Sequence, residues 1–443
     1  MLVQFTVENF LSFKDPATLS MAASKRRSKN KSLDVNATFE GAFGIKLLKS
    51  ATVYGANASG KSNLISAVRF MKRFVIESSK ESLADDKILV KPYRLSEETE
   101  SKPSKFEIVF IKSGALYQYE FSADHSLIQE ERLTRRSQKT NVDQVLFSRI
   151  GNEYTIEKSF SEGKGLQKKT RKNALFLSVC ANFDGQISTE IIRWFRNLRV
   201  ISGLSDSGYL NFTIDQLEDS VAGKKIGDLL KDFDLNIERF ESNTIKQSLA
   251  LDGEIPEDLR PLADALKNMK ETTVKKVSTY HRRFDSEGVE AGEVAFDLKS
   301  DESEGTQKLV AMSGPLVDTL ENSYVLLIDE FDARLHPIIS KNIIKLFNCA
   351  EVNSKNAQLI VATHDTNLLD HDLLRRDQVW FVERDYFGAS HLTSLVEYKG
   401  VRNDASFEKD YIIGKYGAIP VLGDIKRVFG SGRVASKSSL TSE

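Results

Sequence analysis

The chain opens on an alternation of apolar and polar residues, "LVQFTVENF", which predicts a strand. Two later stretches, "YVLLI" (324–328) and "LIVAT" (359–363), are unbroken apolar runs followed by acids or a histidine. Such runs suit strands buried on both faces of a mostly parallel sheet, and "QVWFVE" (378–383) is a third of the kind. A further strand, "SATVY" (50–54), ends in a glycine-rich stretch, after which Leu64, Ile65, Val68 and Met71 recur at helical spacing. Residues 105–121 predict a hairpin turning at Ser113 and Gly114, with more short strands to about residue 157. Between about 175 and 275 the pattern becomes helical with charged faces, as in "STEIIRWFRNLR" and "PLADALKNMKETTVKK". "GEVAFDLKSDESEGTQ" then returns to a strand and a polar turn. Next comes a helix carrying Leu309, Met312, Leu316 and Leu320 on one face, which Pro315 is expected to kink or to end early.

Sheet strands at both ends of the chain with a helical section between them imply an α/β fold, one core interrupted by an insertion. The expected units are residues 1–174, the first half of the core with a β-subdomain, and 175–275, a mainly helical insertion. Residues 276–415 are the second half of the core, and 416–443 a partly disordered extension ending in "GSGRVASKSSLTSE".

Composition narrows the class little. A net charge of −1 over 443 residues gives no global attraction to nucleic acid. The two cysteines, Cys180 and Cys349, are too few for a disulfide framework. "MLVQFTVENFLSF" lacks the basic flank and apolar core of a signal peptide, and no apolar run reaches membrane-spanning length. A soluble cytoplasmic protein that does not engage a membrane is the expectation.

Chemistry enters with Gly55-Ala56-Asn57-Ala58-Ser59-Gly60-Lys61-Ser62, followed by Asn63, which satisfies G-x-x-x-x-G-K-[ST]. Backbone N–H groups of such a loop turn inward on phosphates, and the following helix adds positive potential. Lys61 would reach the β- and γ-phosphates of ATP, and the Ser62 hydroxyl would ligate Mg²⁺. At the end of "YVLLIDE", Asp329 would help Ser62 hold the metal, and Glu330 would orient and polarise the attacking water. A glutamate there argues for hydrolysis and against a Ras-like GTPase, which positions its water with a glutamine. Thirty-five residues after Asp329, His364 stands at the tip of "LIVATHD", where ABC-type ATPases place a histidine against the γ-phosphate. Ser303, Gly305 and Thr306 open a helix 26 residues before Asp329 and offer a second anion site. One nucleotide does not need two such sites from one chain, and in ABC and SMC-type ATPases the second completes the partner's pocket.

Taken in order, "NFLSF", "GANASGKSN", "SEGTQKL", "LLIDEFDARLHP", "ATHDTNLLD", "RRDQVWFVE" and "DYIIGKYGAIP" resemble the RloA/AbiLi-type ATPases, prokaryotic relatives of OLD-family and SMC-like ABC ATPases. The resemblance spans nearly the whole chain. It implies an ABC/SMC-like P-loop core and a role in phage defence with a separately encoded effector, such as an RloB-like protein. It also implies an ATP-sandwich homodimer or higher even-numbered oligomer. Lys61, Ser62, Asp329, Glu330 and His364 would form one half-site, and Ser303, Gly305 and Thr306 would serve the partner's. "DARLHP" stands where ABC proteins carry the D-loop, so Asp332 to His336 are expected to face the opposite subunit, although Arg334 replaces a small residue. No Q-loop glutamine is assigned; "KPYRL" (91–95) marks only the position.

Too few residues follow the last strand for a TOPRIM domain, and the histidines show no HNH or zinc spacing, so no nuclease is expected in this chain. Basic runs at 24–31, 132–139, 164–172 and 280–284 keep DNA or RNA as a further candidate ligand. Two other functions compete: a DNA-repair clamp acting directly on DNA, and a scaffold or immunity subunit for which ATP is structural. A transporter subunit fits least, because the Leu-Ser-Gly-Gly-Gln signature is missing.

Overall fold

A computed structural model describes residues 1–420 apart from 27, 29, 81, 82, 84, 248–271 and 402–404. Its centre is a six-stranded sheet in the order Leu198–Ser202, Val325–Asp329, Gln358–Ala362, Ser50–Tyr54, Val379–Arg384, Ser390–Ser394. The first five strands are parallel and the last is an antiparallel edge. The unbroken apolar runs have a direct cause. Alternate residues of one strand feed two different cores: Val325 and Leu327 face one, Leu326 and Ile328 the other.

The first core is closed by the helices Lys61–Glu77, Phe176–Asn182 and Gln186–Asn197 together with a second sheet. That sheet has seven antiparallel strands in the order Glu153–Ile156, Asp143–Ile150, Ile128–Arg136, Ala115–Ala123, Ser104–Lys112, Leu2–Glu8, Ala17–Ser20. Its expected hairpin is present, with Ser113 and Gly114 both at positive φ (49° and 74°), the pattern of a two-residue primed turn. Gln358, fully buried, joins the two sheets by accepting from the Leu2 N–H (2.6 Å) and donating to the Leu2 and Leu48 carbonyls (3.0 and 3.1 Å).

The second core lies under the helices Ser207–Glu218, Ser220–Asp232, Glu304–Asn322 and Pro337–Asn348. Here the structure corrects two expectations. The section 175–275 is not mainly helical throughout, nor wholly inserted. Its strand Leu198–Ser202 belongs to the central sheet, pairing in parallel with Val325–Asp329. Its later part contributes Arg239–Gln247 and the start of Thr272–Phe284, which form a three-stranded antiparallel sheet with Glu290–Asp297. Val277 and Thr279 are β-branched, and stiffness at χ1 favours strand over helix. Most of "PLADALKNMKETTVKK", like residues 421–443 of the expected extension, lies outside the described residues.

Pro315 neither ends the helix Glu304–Asn322 nor interrupts it. A proline leaves the carbonyl four residues earlier without its N–H partner. Here the Thr213 hydroxyl donates to that carbonyl, of Ala311. Gly314 makes the approach possible, since a Cβ there would lie 2.8 Å from Thr213 Cα. No helix among the described residues is long and apolar enough to cross a membrane.

Candidate ATPase site

The strand Ser50–Tyr54 is buried along its whole length and delivers the loop 55–60 to the start of the helix Lys61–Glu77. Gly60 caps that helix at φ 119°, a conformation side-chain-bearing residues rarely adopt, and no side chain caps it. The helix N–H groups are thereby left to whatever the loop encloses. From behind, Ser390 Oγ donates to the Ser59 carbonyl (2.5 Å) and bonds Ser12 Oγ (2.7 Å), while Asn63 Nδ2 donates to Ser12 Oγ (2.7 Å). This bracing by Ser12 and Ser390 was not foreseen. The one signal for it was the serine in "NFLSF".

The loop opens on a cleft of about 1200 Å³. Asn57 to Asn63 line it together with Glu330, His364, Val90 to Leu95, Arg384 and Gly388. "KPYRL" thus lies in the cleft wall. None of the basic runs 132–139, 164–172 and 280–284 contributes to this lining.

Lys61 is 5% exposed, and its ammonium donates to the Gly55 (2.9 Å) and Ala56 (3.2 Å) carbonyls. Burial pulls its pKa below the usual lysine value, opposed by Glu330, Asp329 and Asp332. Ser62 Oγ donates to Asp329 Oδ1 at 3.1 Å, bringing together residues 267 positions apart. Two hard oxygen ligands side by side suit Mg²⁺. Ser59 Oγ is buried on the loop without a hydrogen-bond partner, as fits a place where a phosphate oxygen belongs. These residues fit ATP and Mg²⁺, the metal supplying charge neutralisation at the phosphates.

Glu330 sits at φ 49°, an uncommon conformation for this residue, just beyond the strand Val325–Asp329. Gly203 fixes that turn. Its N–H donates to the Asp329 carbonyl (2.7 Å), and a Cβ on Gly203 would collide with the Glu330 carbonyl. Asp332 Oδ1 accepts from Thr363 Oγ1 (2.6 Å) and the His364 N–H (3.0 Å), which ties the acidic turn to the histidine strand end. Partial burial of the His364 ring, and then the Lys61 charge, hold its imidazole below the usual histidine value against the nearby acids. A neutral imidazole is the form expected at neutral pH.

Ser303, Gly305 and Thr306 are not part of the cleft wall. They start the helix Glu304–Asn322 at an exposed end, where Ser303 Oγ accepts from the Thr306 N–H (3.1 Å). The D-loop-like segment packs on this end: Arg334 Nε pairs with Glu304 (3.2 Å), and the Arg334 carbonyl faces Gly305. His336 Nδ1 accepts from the Ile338 N–H (3.3 Å), capping the helix Pro337–Asn348. Lys308 connects the two regions. Only 1% exposed, it donates to the carbonyls of Phe331 (2.9 Å), Glu330 (3.5 Å) and Ala333. Burial lowers its pKa to about 8. Nothing in the sequence singled Lys308 out, because a lysine one turn into a helix reads as a solvated side chain.

Against known proteins, a family model described as "AAA domain, putative AbiEii toxin, Type IV TA system" matches residues 50–370, from the strand entering the loop to beyond His364. The chain belongs to this AAA-domain family. It is an AAA-type P-loop ATPase; the ABC/SMC-like character and the RloA/AbiLi type stay resemblances. Solved structures similar to this AAA-domain protein include the SMC head domain from Thermotoga maritima, 14% identical over 89% of this chain and 98% of that one, TM-score 0.37. Another is an SmcHead bound to the C-winged helix domain of ScpA, 13% identical over 89% and 97%, TM-score 0.39. A third is an Smc head domain with an extended coiled coil bound to the C-terminal domain of ScpA, derived from Pyrococcus furiosus. It is 13% identical over 94% and 98%, TM-score 0.34. No curated protein matches the chain.

Proposed function

We propose that this ATPase is a nucleotide-gated switch: ATP closes a homodimer, and the closed dimer controls a separately encoded effector of an anti-phage, abortive-infection system. The observation that carries the reading is the division of the motifs within one chain. Lys61, Ser62, Glu330 and His364 gather at one cleft, with Asp329 behind Ser62, while Ser303, Gly305 and Thr306 stand at an exposed helix start outside it. A second copy presenting that helix start would complete the site. Lys61 would hold the β- and γ-phosphates, Ser62 and Asp329 would hold Mg²⁺, and Glu330 would orient the water and polarise it for attack. His364, neutral, would contact the γ-phosphate. The helices Ser207–Glu218 and Ser220–Asp232 with the three-stranded sheet would form the sensing part. The family description, a putative toxin of a toxin–antitoxin system, supports a defence setting.

Glu330→Gln tests the switch. With ATP and Mg²⁺, light scattering should show dimers accumulating while turnover falls about 10²–10³-fold, the scale of one lost transition-state group. Unchanged turnover would remove Glu330 from its role, and a monomer at saturating ATP would remove the sandwich. DNA-stimulated turnover without any partner protein would favour the DNA-clamp reading instead.

A further inference from the structure

One mostly buried acid stands outside the ATPase cleft, directly before Ser303. The Glu302 side chain is 9% exposed. Its Oε1 accepts from the Thr279 hydroxyl (2.5 Å) and bonds His281 Nε2 (2.7 Å). Both partners lie on the strand Thr272–Phe284, two residues apart and so on one face of it. Thr279 is fully buried, and the His281 ring packs on Phe296 of the neighbouring strand, centroids 4.8 Å apart. From the helix side, Gln307 Nε2 donates to the Glu302 (2.9 Å) and Lys299 (3.2 Å) carbonyls, closing the turn into Glu304–Asn322. Beyond the chain itself, the Glu302 carboxylate therefore ties the three-stranded sheet to the Ser303 helix start.

Taking a carboxylate out of water is costly, so apolar packing would join a sheet to a helix at less expense. What the carboxylate adds is direction: two donors on one oxygen hold a single geometry, and the contact is either made or broken. The helix it fixes serves two places. Ser303 caps its start, and one turn on, Lys308 holds the carbonyls of Phe331 and Glu330. We infer that Glu302 is a positioning residue for ATP hydrolysis: through Thr279 and His281, the three-stranded sheet holds the Ser303 helix start in the pose that completes the partner's site. A shift of the sheet that breaks this contact releases Ser303 and disables the site across the dimer. The inference rests on the shared-site reading, in which Ser303 serves a second copy of the chain.

The test uses the full chain with ATP and Mg²⁺. It reads ATP affinity in dilute, monomeric protein, and turnover at concentrations where light scattering shows dimers. Glu302→Ala should keep the affinity and lower the turnover about 5- to 150-fold, the usual span of a coupling between sites. Glu302→Gln, whose amide oxygen still accepts from both groups, should restore the turnover. His281→Ala should show a smaller loss of the same kind, and it carries the test if Glu302→Ala does not fold. Adding His281→Ala to Glu302→Ala should cost nothing further, because the two residues share one contact. Unchanged turnover in the alanine variants overturns the inference, as do losses that multiply in the double variant. A parallel loss of affinity in dilute protein also overturns it, since Glu302 would then support the fold as a whole. A wild type that stays monomeric at saturating ATP refutes the shared-site reading itself, and the inference with it.

Discussion

Two helix starts in this molecule are built in opposite ways. The helix Lys61–Glu77 begins behind a glycine with no side-chain cap, walled in by Ser12, Ser390 and the buried strand before it. The helix Glu304–Asn322 begins in solvent and caps itself with Ser303. Both ends carry the partial positive charge of a helix N-terminus. Only the first has its polar groups arranged so that a ligand must complete them, with Ser59 Oγ buried and unpaired. The second is satisfied by its own chain, so an anion arriving there has to displace Ser303 from the Thr306 N–H. The lesson is that a phosphate loop is recognisable from one subunit, whereas a site shared between subunits can look like an ordinary capped helix.

Lys61→Ala should break the first helix start outright. ATP turnover should fall at least about 10²–10³-fold, and ATP binding should weaken with it, as equilibrium titration would show. Intact binding would place the phosphates elsewhere.

Lys308→Met probes the link between the two regions. Leaving buried carbonyls unpaired costs about 1–3 kcal/mol, read as a lower denaturation midpoint. The pH dependence has a defined sign. The folded value of about 8 lies below the ordinary 10.5, so the folded chain releases this proton first. Between those values linkage raises folding stability with pH, although the hold on the carbonyls of Glu330 to Ala333 weakens as ammonium becomes amine. Turnover should therefore decline as pH rises through about 8. Lys308→Arg, charged throughout, should lack that decline; a matching profile in the arginine variant would disconnect Lys308 from Glu330.

Ser303→Ala should have the smallest effect, about 1 kcal/mol from the lost cap. ATP binding by a monomer should be unaffected and only turnover at dimer-forming concentrations reduced. A binding defect in dilute protein would place Ser303 in its own chain's site.

Much of the fold was legible because burial writes itself into the sequence. The strands around 325–329, 358–362 and 379–384 are apolar at successive positions because two cores flank them, whereas Ser50–Tyr54 is buried throughout yet carries Ser50 and Thr52. The phosphate loop was legible for a similar reason, since few residue types serve its geometry. The strands Arg239–Gln247 and Thr272–Phe284 were harder. Polar residues dominate both, and ion pairs such as Arg239–Glu293 and Lys276–Asp297 link their edges, so neither shows a clean alternation. The helical stretch "STEIIRWFRNLR" runs two residues into the strand Leu198–Ser202, since the helix itself ends at Asn197. Lys308, Gly203 and the Thr213 hydroxyl were not visible at all. Gly203 and Thr213 matter through contacts about a hundred or more positions away, and Lys308 through carbonyls 22 to 25 positions on; one-dimensional patterns do not carry such contacts.

The bond from Thr213 to the Ala311 carbonyl makes Pro315 tolerable inside a helix that runs from the exposed Ser303 end toward the strand before Glu330. The two residues are therefore epistatic. Threonine at 213 is dispensable where 315 can donate its own N–H, and proline at 315 is acceptable only while 213 carries a hydroxyl. Among relatives, these two positions should change together or not at all.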